Sequence, residues 1–128
     1  MMNEELKKQL RNRRICVVIP TYNNDKTIKT VVEKCLLYCD DVIVVTDGCT
    51  DRTTDILHAI DGITIVSYPQ NRGKGYALKM GFRRALEMGF SYAITLDGDG
   101  QHYPEDIPLF LKANQQHPQS LIIGSRQL

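Results

Sequence analysis

Asp97 and Asp99 stand on either side of a glycine in the run Leu-Asp-Gly-Asp-Gly-Gln-His at residues 96–102. A glycine between two acids permits a tight turn that aims both carboxylates at one point. Two carboxylates held that close repel unless they share a proton or a cation. Together with the Gln101 amide they offer hard oxygen ligands of the kind that suit Mg2+ or Mn2+. Taken in isolation, an Asp-Gly-Asp-Gly run is an ordinary surface turn. Placed directly after a buried strand, it reads as a metal site.

A second group, Asn71-Arg72-Gly73-Lys74-Gly75, opens a helix and sets Lys74 beside free backbone N–H groups. Charge and helix dipole there favour an anion. The same two glycines also suit a turn and close packing, and both readings stand. Asp47, before Gly48, is placed to accept a hydrogen bond from a polar ligand group such as a base or ribose. Asp51 reads as a helix cap. His58 and His117 fall in solvent-facing helical contexts and carry no role, and a structural hydrogen bond explains His102 at least as well as chemistry does.

Three rival motifs can be tested on spacing. A calcium-binding EF-hand starting at Asp97 needs glycine at the sixth loop position and a carboxylate at the twelfth, where His102 and Pro108 stand. A phosphate-binding P-loop needs a hydroxyl after its Gly-Lys, but Gly75 follows Lys74, and Tyr68 occupies the earlier glycine position. The D-x-D-G-[TS] pattern of haloacid-dehalogenase phosphatases would make Asp97 the nucleophile and Asp99 the acid. It needs a hydroxyl at Gln101 and normally follows the first strand.

The elements that position these residues are five short apolar runs, at 15–19, 42–46, 63–67, 93–96 and 121–123. They are nearly continuous and rich in β-branched residues, as strands buried on both faces of a parallel sheet must be. Strands are expected near 15–19, 42–46, 63–67, 92–96 and 120–124. Helical periods fill the gaps at 27–38, 51–60, 75–88 and 104–116, the last with Pro104 at its first turn. Strand and helix alternate without a hairpin signal. That pattern means right-handed crossovers and a Rossmann-like, open, doubly wound parallel sheet with helices on both faces. In such a sheet ligands bind beyond the carboxyl ends of the strands, near the switch in strand order. The residues after each run therefore converge on one rim: Pro20, Thr21, Tyr22, Asn23 and Asn24; Asp47 and Gly48; Asn71 and Lys74; Asp97, Gly98, Asp99 and Gln101.

Length and composition bound the rest. A chain of 128 residues with 42% hydrophobic content is one domain with a real core. Sixteen basic against fifteen acidic residues leave a net charge of +1, which makes no electrostatic case for nucleic acid. Residues 1–14 hold five basic and two acidic groups and are expected to form a basic N-terminal helix or leader, solvated rather than membrane-bound. No apolar run approaches the ~18–20 residues of a membrane span. The run at 15–19 is too short for a signal peptide and is closed by Pro20. Four cysteines with no C-x-x-C pair and no zinc spacing fit a reducing, cytoplasmic compartment. Cys35 and Cys39, four apart on a helix, are expected to be half-buried thiols.

Assembled in order, these motifs resemble the donor-binding half of a family 2 glycosyltransferase of the GT-A fold. The resemblance runs from about residue 15 to 126. It rests on V-V-I-P-T-Y-N (17–23), V-T-D-G-C-T-D (45–51), N-R-G-K-G-Y-A-L (71–78) and L-D-G-D-G-Q-H (96–102). The D-x-D-x-Q-H run and the closing G-S-R at 124–126 are similar to the polyprenyl-phosphate branch, which includes dolichyl-phosphate mannose synthase. Where the family often has two acids before the glycine of the second motif, Thr46 holds the first position.

The resemblance implies transfer of a sugar from a UDP- or GDP-linked donor, with Mg2+ or Mn2+, to an acceptor such as a polyprenyl phosphate. Thr21, Tyr22, Asn23 and Asp47 would line the nucleoside pocket. Pro20, Gly48, Asn71, Lys74 and Gly98 would complete the donor contacts. Asp97 and Asp99 would be the catalytic D-x-D pair and, with Gln101, the metal ligands. Residues 15–128 would form the nucleotide-sugar-binding domain, truncated at its C-terminal end. Family members continue into an acceptor-binding half, so membrane contact would come only through missing segments, at the cytoplasmic face. Two alternatives remain beside this reading: a non-catalytic donor-binding fragment, and a haloacid-dehalogenase-like phosphatase.

Overall fold

The structure, a computed structural model, describes residues 2–100, 103–118 and 125–127. Among the described residues five strands form one sheet: β1 (Ile15–Thr21), β2 (Val42–Asp47), β3 (Thr64–Tyr68), β4 (Tyr92–Thr95) and β5 (Ser125–Gln127). The helices are α1 (Met2–Asn12), α2 (Ile28–Tyr38), α3 (Thr53–His58), α4 (Lys74–Glu87) and α5 (Ile107–Gln116). A 3-10 turn at Pro104–Asp106 leads into α5.

The strand order is β3-β2-β1-β4-β5. From β1 the chain steps outward to β2 and β3, then returns across both to lie on the other side of β1. Right-handed crossovers put the helices of the outward steps on one face and the helix of the return on the other. The packing follows this rule. Ile15, Val17 and Ile19 share a core with Leu10 of α1, Val32 and Cys35 of α2, Leu57 of α3 and Leu111 of α5. Cys16 and Val18, the intervening residues of β1, pack with Ala77 and Ala85 of α4. Every residue of β1 and β2 is buried, which is why those runs are continuously apolar rather than alternating. Edge strand β3 is only half-buried.

Helix α4 approaches the sheet closely because Gly81 has no side chain. A Cβ there would lie 2.5 Å from Val18 Cγ1 and 3.1 Å from Val45 Cγ2. This explains a glycine in the middle of a 14-residue helix, where it costs roughly 1 kcal/mol of helix propensity relative to alanine.

The sheet departs from the expected all-parallel form at one edge. β1, β2, β3 and β4 are parallel, but β5 runs antiparallel to β4, pairing Tyr92 with Gln127 and Ile94 with Ser125. An antiparallel edge strand on a parallel sheet is a common variation. The strand expected near 120–124 lies outside the described residues.

Two further expectations need amending. Helix α1 is solvated on one face only: Leu10 is buried in the core, and Lys7 and Arg11 both bridge to Asp40, at 3.2 and 2.6 Å. Cys35 and Cys39 are fully rather than half buried. Burial pushes both thiols up to about 12, with the neighbouring Cys39 adding to the effect on Cys35. Among the described residues no helix is long and apolar enough to cross a membrane.

Candidate active site

The strand order reverses between β1 and β4, and the loops leaving those two strands must diverge there. They enclose an open cleft of about 280 Å³. Pro20, Thr21, Tyr22 and Asn24 form one wall, Asp97, Gly98 and Asp99 the other, and Asp47, Lys74 and Ala77 the end.

The wall from β1 is braced internally. Thr21 Oγ1 donates to Asn24 Oδ1 at 2.6 Å, and the Tyr22 N–H donates to the same oxygen at 3.2 Å. Tyr22 is left half-exposed beside the cleft. Asn23 turns away. Its backbone sits in the left-handed region at φ 51°, a conformation asparagine tolerates better than most residues. Its side-chain oxygen accepts the Thr50 N–H at 2.8 Å and its amide donates to Thr50 Oγ1 at 3.1 Å. Asn23 therefore ties the β1 loop to the β2 loop and does not line the cleft. Asp51 stands one residue before Arg52, the N-cap of α3, and accepts the Thr53 N–H at 2.9 Å, so it braces the turn that leads into the helix and is not the cap itself. Burial opposes its charge, but hydrogen bonds from Thr53 and from the Asp25 N–H outweigh that and hold its carboxyl below the ordinary value.

Asp47 ends β2, 3% exposed. Its Oδ1 accepts from Tyr68 Oη at 2.7 Å and from the Arg72 N–H at 2.9 Å. Its Oδ2 accepts from Asn71 Nδ2 at 3.0 Å and from the Gly73 N–H at 2.9 Å. An ionised carboxylate has about four acceptor positions, and all are taken. Asp47 thus borders the cleft as the anchor of the Asn71–Lys74 loop, and Asn71 serves that anchor. Gly48 has φ +65°, and a Cβ on it would strike the Asn71 backbone nitrogen at 2.2 Å, so it lets the two loops touch.

Lys74 begins α4 and reaches across the end of the cleft. Its Nζ lies 2.7 Å from Asp97 Oδ1, with the lysine side chain 60% and the aspartate side chain 20% exposed. Asp99 is exposed on the far side of Gly98. Thr27 Oγ1 donates to the Gly98 carbonyl at 2.7 Å and pins the turn to the start of α2.

Two carboxylates on one tight turn fit Mg2+ or Mn2+ by donor type, and the lysine ammonium on Asp97 shows that this position accepts positive charge. Gln101, the third expected ligand, and His102 lie outside the described residues. Among the described residues, no cluster of three or more His, Cys, Asp or Glu side chains forms a metal site.

Sequence reasoning passed over residues that build this site. Ala77 lines the cleft from the first turns of α4. Tyr68 is the register partner of Asp47 on the neighbouring strand, a relation that emerges only once β2 and β3 are aligned.

Fold and cleft together define an open α/β domain of the nucleotide-binding type. The chain belongs to glycosyl transferase family 2, whose model matches residues 16–128. It is 31% identical to the UDP-N-acetylglucosamine–dolichyl-phosphate N-acetylglucosaminyltransferase of Methanococcus voltae, over 88% of this chain and 51% of that protein. It is 32% identical to the undecaprenyl-phosphate mannosyltransferase of Micrococcus luteus, over 90% and 49%. Among solved structures it resembles the glucosyl-3-phosphoglycerate synthase of Mycobacterium tuberculosis in complex with Mn2+, UDP and glucosyl-3-phosphoglycerate. There the TM-score is 0.64 at 28% identity, covering 83% of this chain and 41% of that one. The same synthase has also been crystallised with Mg2+ and UDP. The chain spans about half the length of the curated relatives it matches. Membership of this family leaves the phosphatase alternative without support.

Proposed function

We propose that this chain forms the donor site of a glycosyltransferase. The cleft takes the nucleoside diphosphate of a UDP- or GDP-linked sugar, and the whole protein transfers that sugar to an acceptor of the polyprenyl-phosphate class. The observation that carries the reading is the meeting of Asp97, Asp99 and Lys74 with the Thr21–Tyr22 wall at the strand-order reversal. Supporting it, one solved relative holds UDP with Mn2+ or with Mg2+, and curated relatives are named as dolichyl- and undecaprenyl-phosphate sugar transferases.

In this reading Tyr22 offers a half-exposed ring against which a base can stack, and Thr21 shapes the pocket beneath it. Asp97 and Asp99 hold the divalent ion, and Lys74 at the start of α4 favours the anionic diphosphate. Bound there, the ion would neutralise charge that develops on the leaving diphosphate. The cysteine content supports a cytoplasmic placement.

Titration with UDP and GDP, in Mn2+ and in EDTA, tests the site. Nucleotide affinity is expected to collapse in EDTA, because two carboxylates then face an anion. Asp99→Ala is expected to weaken binding by about 10–100-fold even with metal present, the usual effect of disturbing a metal site. Equal affinity in Mn2+ and EDTA would return the acidic turn to a plain surface turn.

A further inference from the structure

We propose that Lys74 is a tethered counter-ion for the acidic turn. It neutralises Asp97 while no divalent cation is there, and it turns to the donor's diphosphate once the cation takes its place. The inference rests on the donor-site reading and adds an exchange of partners to it.

The geometry points to an exchange rather than a fixed salt bridge. Asp97 is mostly enclosed, and a carboxylate drawn out of water needs a compensating charge. Lys74 supplies one at 2.7 Å. A divalent ion on Asp97 repels an ammonium held at contact distance by the same carboxylate, so cation binding weakens the Lys74–Asp97 contact.

The lysine is built to move at its tip alone. Its root is fixed, because the preceding residue, Gly73, donates its N–H to the buried Asp47. Its head is 60% exposed and sits on a flexible four-carbon stem. Freed from Asp97, the ammonium remains at the first turn of α4, beside the N–H groups that favour an anion. Lys74 should therefore act with opposite signs on the two ligands, opposing the cation when it binds alone and assisting the diphosphate when the cation is present.

The test is a pair of equilibrium titrations on wild type, Lys74→Met and Lys74→Arg. Free Mn2+ is followed by electron paramagnetic resonance without nucleotide, and UDP binding is followed by calorimetry at saturating Mn2+. Lys74→Met is expected to bind Mn2+ about two- to fivefold more tightly than wild type, the range open to an ion pair with one exposed partner. The same variant should bind UDP more weakly by a similar factor. Lys74→Arg, which keeps the charge, should stay near wild type in both.

Weakening of both ligands by Lys74→Met would make the lysine a structural part of the loop and overturn the exchange. So would an effect on neither ligand, or tighter Mn2+ with unchanged UDP. Mn2+ binding untouched by the variant overturns this inference alone. Failure of wild type to bind Mn2+, with or without UDP, overturns the donor-site reading as well. An unchanged urea midpoint for Lys74→Met checks that the fold is intact.

Discussion

Gly98 lies directly against the side chain of Thr21. A Cβ placed on Gly98 would come within 2.7 Å of Thr21 Oγ1 and 2.9 Å of Thr21 Cβ. The Gly98 N–H also donates to the Pro20 carbonyl at 3.3 Å, so the turn between the two acids is laid on the end of β1. Thr21 is buried and bonded to Asn24 and cannot retreat. Gly98→Ala is expected to lift the acidic turn away from β1. Overpacking of this kind costs about 1–3 kcal/mol, while a displacement near 1 Å at a site costs up to about 100-fold in function. Metal-dependent UDP binding should therefore fall by more than the loss of stability explains. Calorimetry and urea unfolding on one preparation separate the two, and unchanged UDP affinity would refute the close fit.

Asp47 offers a different contrast. If its carboxylate anchors the loop, Asp47→Ala leaves two N–H groups and a hydroxyl without their acceptor, and the Asn71 amide with only the backbone carbonyl of residue 47. The expected loss is about 2–4 kcal/mol, since hydrogen bonds to a charged group contribute roughly 1.5–3 kcal/mol each and are not additive. Asp47→Asn should rescue little, because its amide group would point a donor at donors. Urea denaturation measures both variants. A variant of wild-type stability with weakened nucleotide binding would instead make Asp47 a base or ribose contact.

The cysteines give a prediction in pH. Burial raises Cys16, Cys35 and Cys39, the latter two to about 12, so all three stay protonated well above neutrality, and the thiolate is the reactive form. Cys49 is partly exposed, and burial raises it less. At pH 8 a thiol reagent is expected to label Cys49 slowly in the native protein and all four cysteines in urea. Fast labelling of Cys35 or Cys39 without unfolding would contradict the core packing.

The parts of the fold that could be read in the sequence are those set by local pattern. The runs at 15–19 and 42–46 are continuous because both faces of β1 and β2 are covered, and the helices fall where apolar residues repeat at helical spacing. Strand order and direction follow from long-range packing, so the reversed edge at β5 left no local sign. Site residues were legible as a rim because strand ends are legible. Whether a rim residue faces ligand or protein was not. Asn23 and Asp47 resemble ligand contacts in type and position, yet both hold neighbouring loops, and this depends on where Thr50, Tyr68 and Gly73 come to rest. Leu10 was hidden by the charges around it.

The return under α4 has a consequence in time. Residue Ile15 pairs with Tyr92, whereas Val17 pairs with Val42, so the β1–β4 seam closes a far longer loop than β1–β2. Contacts of wide sequence separation carry the larger closure entropy and slow folding. β1, β2 and β3 can align through nearby crossovers while one wall of the cleft is still missing. The acidic turn then arrives with the slowest seam, and the cleft becomes a marker of completed folding. In stopped-flow refolding, competence to bind UDP with Mn2+ should rise with the last kinetic phase. Binding that precedes that phase would show that the seam closes early.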